Sequence, residues 1–125
     1  MSSYQPGACN IGPDQRRRRL AVAVAAFALA TAQVVATVLG WLPDPVLVGV
    51  FVPLAIGFEW GLQAHTAFCV RLALLGRYDF RGAGGTSGEI DDPNYRRADD
   101  VQAAKLAVAG VTLSALTTAA VVLAV

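Results

Sequence analysis

Three long apolar runs decide the solvent of this chain. Leu20–Gly40 holds about 21 residues without a charge, Pro45 to about Leu62 has one acid, Glu59, and Ala103–Val125 has one base, Lys105. A bilayer core is crossed by roughly 20 consecutive apolar residues in helical form. A chain of 125 residues cannot bury three such runs on every face in water. The expected fold class is therefore all-α: an integral membrane protein, a bundle of three transmembrane helices. The expected spans are about 20–40, 45–65 and 103–124, within a bundle covering 14–125. Residues 1–13 read as a cytoplasmic leader, 64–76 as a cytoplasmic extension of helix two, and 77–101 as a cytoplasmic loop.

Composition agrees. Charged residues make up 15% of the chain and mean hydropathy is +0.52, against about 25% charged in ordinary soluble domains. The run after Arg19 is too long for the 7–15-residue core of a signal peptide, so it reads as a retained span. Lysine occurs once, against nine arginines, and acidic pairs stand at Asp91-Asp92 and Asp99-Asp100, a flavour that suits a GC-rich prokaryote, halophilic ones included.

Orientation follows from the arginines. Arg16, Arg17, Arg18 and Arg19 abut the first run, and the positive-inside rule puts that flank in the cytoplasm. The same four side chains are candidates for contact with lipid headgroups. The turn Trp41-Leu42-Pro43-Asp44 has no Lys or Arg and is expected outside. Arg71, Arg77, Arg81, Arg96 and Arg97 then fall inside, and the C-terminus outside, in a multi-pass protein of the cell membrane. Trp41 suits an aromatic belt.

Asp44-Pro45 and Asp92-Pro93 each read as an Asp N-cap followed by proline at the first helical position. Gly76 reads as the stop of helix two. Helix two taken as continuous over 45–75 would be about 46 Å long, with Pro53 as a candidate kink. An alternative breaks it at Gly57–Gly61 and lays Phe58 to Leu75 along the interface. Gly57-x-x-x-Gly61 and Gly110-x-x-x-Ser114-x-x-x-Thr118 suit close helix approach in lipid.

Glu59 is the costliest residue, at about 2.5–3.5 kcal/mol for a charge near mid-membrane. It is either a proton or ion site or a structural glutamate docked against span one or three. Gln33 and Lys105 are its candidate partners, and Gln63 shares its stripe. His65 and Cys69, spaced i,i+4, could join Cys9 as a soft or borderline metal site. Against that, neither cysteine lies in a C-x-x-C pair, and a buried cysteine commonly serves as a small apolar filler. The glycine stretch 81–88 lacks the ending of a phosphate-binding loop. No catalytic constellation is present, and neither a cofactor nor a nucleic-acid partner is implied.

The leader Gln5-Pro6-Gly7-Ala8-Cys9-Asn10-Ile11-Gly12-Pro13, the arginines, Leu62-Gln63-Ala64, Phe68-Cys69 and Gly76-Arg77-Tyr78-Asp79-Phe80 resemble a group of small prokaryotic membrane proteins marked by a Cys-Asn-Ile-Gly motif. The resemblance implies the topology and carries no mechanism. The leader reads either as an ordered plug with Cys9 and Ile11 buried or as a solvated tail. The chain does not match the small multidrug transporters or the fluoride channels. The expected role is a non-enzymatic accessory or structural component of a homo-oligomer or a larger membrane complex. The alternatives are a small transporter or channel using Glu59, and the metal or redox site.

Overall fold

The computed structural model describes residues 4–82 and 85–125. Its frame is three helices long and apolar enough to cross a membrane: Pro13–Val38, Asp44–Thr66 and Pro93–Ala124. Helix α1 (Pro13–Val38) starts at a proline, whose missing N–H costs nothing in the first turn. The second span opens as a 3₁₀ helix, Asp44–Val50, and becomes α2 at Phe51–Thr66. Pro53 lies just past that junction and has no N–H to donate back into the 3₁₀ segment. Helix α4 (Pro93–Ala124) is capped by Asp92, whose carboxylate accepts from the N–H groups of Asn94 and Tyr95.

Small residues set the helix contacts. A Cβ on Gly57 would come within 2.7 Å of the Phe27 ring, and one on Gly61 would meet Ala23. Phe27 and Phe58 stack edge to face at 5.1 Å. Ala23, Ala26 and Ala30 are the buried face of α1, and Ala103, Leu106, Gly110, Ser114 and Thr118 that of α4. Buried hydroxyls are satisfied within their own helix: Ser114 donates to Gly110 O and Thr118 to Ser114 O, each at 2.7 Å.

Helix two is not continuous to residue 75, nor is it broken at Gly57–Gly61. It stops at Ala67, which adopts the left-handed conformation (φ 55°). The chain restarts as α3 (Val70–Leu74) and turns at Gly76 (φ 67°). The segment 77–101 is not simply a loop. It holds an antiparallel hairpin of β1 (Arg77–Asp79) and β2 (Ser87–Glu89), and its last residues form the first turns of α4. The fold is mostly helical, with this one small two-stranded sheet among the described residues.

Candidate functional site

The leader packs across the corner between α2 and α3. Asn10 has no exposed surface and clamps Cys69: the Cys69 N–H donates to Asn10 Oδ1 (2.6 Å), and Asn10 Nδ2 donates to Cys69 O (3.1 Å). The Asn10 and Ile11 N–H groups both donate to Ala67 O. Ile11 bridges to Asp79 of β1, so the leader lies beside the hairpin. Cys9, Ile11, Ala67, Cys69 and Phe80 form one buried cluster. From Tyr4 onward the leader is thus an ordered plug, and the first three residues assigned to it lie outside the described residues.

Two carboxylates flank it, of which Asp99 holds its Tyr4 end. Asp99 is fully buried and accepts from Tyr4 Oη (2.7 Å) and Gly7 N–H (2.8 Å). Burial and the Asp99 carboxylate beside it hold the Tyr4 phenol well above its ordinary range. Asp79 accepts from Arg81 and from Gln15. The Arg81 hydrogen bond leads in holding that carboxyl below the usual range. Burial pushes the Cys9 thiol up.

The expected metal triad does not assemble. Cys9 and Cys69 share the buried cluster, while His65 is exposed on another face beside Pro13, Arg16 and Arg17. The reversal at Ala67 lies between His65 and Cys69, so their i,i+4 spacing no longer means a shared helical face. Among the described residues no three His, Cys, Asp or Glu side chains converge as metal ligands.

Glu59 meets neither expected partner. Its carboxylate packs against Gly110 of α4, where a Cβ would collide with it. Its Oε1 is buried without a hydrogen bond among the described residues. Gln33 instead donates to Val46 O in the 3₁₀ segment (2.8 Å), and Lys105 is exposed. Gln63 is buried and accepts from the Val70 N–H, bracing the α2–α3 corner.

The four arginines differ in duty. Arg16 Nε donates to Ala64 O (2.9 Å), Arg17 pairs with Asp14, and Arg18 is exposed. Arg19 lies over Trp60, 5.3 Å from the ring centroid, and its Nη2 reaches Cys69 Sγ at 3.0 Å. A groove of about 650 Å³ opens beside it, between α1, α2 and α3.

Sequence reasoning missed Asn10 as a clamp, Asp99 as an anchor, and the pairing of Arg19 with Trp60. For Asp99 a signal existed. It falls on the stripe Asp99, Ala103, Leu106, Gly110, which marks the buried face of α4. No protein-family model matches the chain, and no curated protein or solved structure is significantly similar to it.

Proposed function

We propose that this chain is a multi-pass protein of the cell membrane, leader end inside, acting without catalysis as an accessory or structural component of a homo-oligomer or a larger membrane assembly. The outward face of α1 carries the reading. Ala21, Ala25, Ala28 and Ala32 are all exposed and lie within about 60° of one another at 100° per residue. In lipid, small residues favour close helix approach, and here they face away from the chain's own bundle. Only 22%, 28% and 17% of the three apolar windows are buried, so much span surface is open to a second helix. The leader's Cys-Asn-Ile-Gly motif holds the bundle's end together in this reading and does no chemistry.

The test is crosslinking and native mass spectrometry of the wild type, Ala25→Leu and Ala28→Leu. A self-associated or partner-bound form in the wild type, reduced in both variants, supports the role. A monomer with nothing co-purifying, unchanged by either substitution, counts against it.

Glu59 favours a second reading, a small proton or ion pathway. The supporting observation is its Oε1, buried and unpaired against Gly110. Proton flux into liposomes that is unchanged by Glu59→Gln would remove it.

A further inference from the structure

We propose that the groove between α1, α2 and α3 binds the phosphate of an anionic phospholipid from the leaflet on the leader's side. Its walls carry two arginines, Arg19 and Arg71, and no carboxylate. Arg19 is held rigidly. The Trp60 ring lies under its guanidinium, and Nη2 is anchored on Cys69 Sγ. Its Nη1 makes no hydrogen bond among the described residues, and neither does the side chain of exposed Arg71. A guanidinium fixed in one orientation loses little freedom when it meets a phosphate, and two such donors can share one phosphate's oxygens.

The surroundings select a lipid over a free anion. Leu74 at the end of α3 and Leu75 just after it are 65% and 55% exposed, and Trp60 is 36% exposed, at the same groove. Beside a lone phosphate this apolar surface would stay wet. Beside a phospholipid it covers the first methylenes of an acyl chain, and tryptophan at headgroup depth is a usual anchor. The break at Ala67 creates the arrangement, because it turns α3 aside and brings Arg71 to the groove that Arg19 lines.

The inference rests on the spans lying in a bilayer, not on the accessory role. The test is Trp60 fluorescence of the full chain carrying Trp41→Phe, reconstituted in vesicles containing brominated phosphatidylglycerol or brominated phosphatidylcholine. Stronger quenching by the anionic lipid is expected. Arg71→Gln should cut the preference about fivefold, whereas Arg77→Gln, outside the groove and paired with Glu89, should cut it far less. Added inorganic phosphate should not displace the lipid. Equal quenching by both lipids, equal losses in the two arginine variants, or displacement by phosphate would each overturn the proposal. Quenching by neither lipid would instead refute the membrane reading beneath it.

Discussion

Replacing Asn10 with alanine should open the leader. The Cys69 N–H is buried and donates to Asn10 Oδ1 at 2.6 Å. Stranding a buried donor costs about 1–3 kcal/mol. Cys69 O loses Asn10 Nδ2 but still accepts from the Ala73 N–H, so the second bond adds only about 0.5–1 kcal/mol. A total of about 1.5–4 kcal/mol corresponds to a rise of about 12- to 700-fold in the open population, at tenfold per 1.4 kcal/mol. Cys9 is 3% exposed and unbridged, so it reports opening directly. The assay is N-ethylmaleimide labelling in detergent, followed at the Cys9 peptide by mass spectrometry. When reclosing outpaces labelling, the rate tracks the open population. Asn94→Ala, at an exposed position, is the control. An Asn10→Ala rate within threefold of wild type would refute the clamp.

Three further outcomes are expected. Alkali should loosen the leader: Tyr4 and Cys9 both have raised folded-state values, so their contribution is full below the unfolded values (about 10 and 8.5) and is lost as pH climbs through the folded ones. Cys9 labelling should therefore rise above about pH 9 more steeply than thiolate formation alone predicts, and a profile matching a free thiol would contradict this. Acid should spare the hairpin until late: the Asp79 value is lowered, so its contribution is full above the unfolded value near about 4 and is lost only as pH falls through the folded one; near-UV tyrosine circular dichroism steady from pH 7 to about 4 checks this, and loss by pH 6 refutes it. Gly110→Ala should cost about 1–3 kcal/mol through overpacking where its methyl meets the Glu59 carboxylate, lowering thermal stability in detergent, whereas Ala115→Gly on the exposed side should cost no more than about 1 kcal/mol of helix propensity.

The spans were legible because run length alone states the need for a bilayer-sized apolar segment, and Asp92-Pro93 spelled out its own cap. The stop at Ala67 was not legible. The stretch Ala64-His65-Thr66-Ala67-Phe68 carries no glycine or proline, and the signal that ends the helix comes from Asn10, 59 residues away from Cys69. A pairing of that kind leaves no mark on local periodicity. The same reversal undid the His65–Cys69 face, since i,i+4 geometry holds only while the helix continues. Glu59 stood out by its cost, but its neighbour is a glycine, a residue with no side chain to advertise the contact. Arg19 looked like one of four topology charges. Only the helix crossing sets it on Trp60 while Arg16 turns to Ala64.

The leader's anchors also dictate an order of events during synthesis. Tyr4 and Gly7 are held by Asp99, 95 and 92 residues later in the chain. The Tyr4 end of the leader therefore cannot dock until the first turns of α4, which carry Asp99, have been made. Contacts this distant in sequence form slowly and late, whereas the clamp of Asn10 on Cys69 and the cluster around Cys9 and Ile11 need nothing beyond Phe80. The leader therefore docks in two stages, its Asn10 end on the α2–α3 corner first and its Tyr4 end on α4 second.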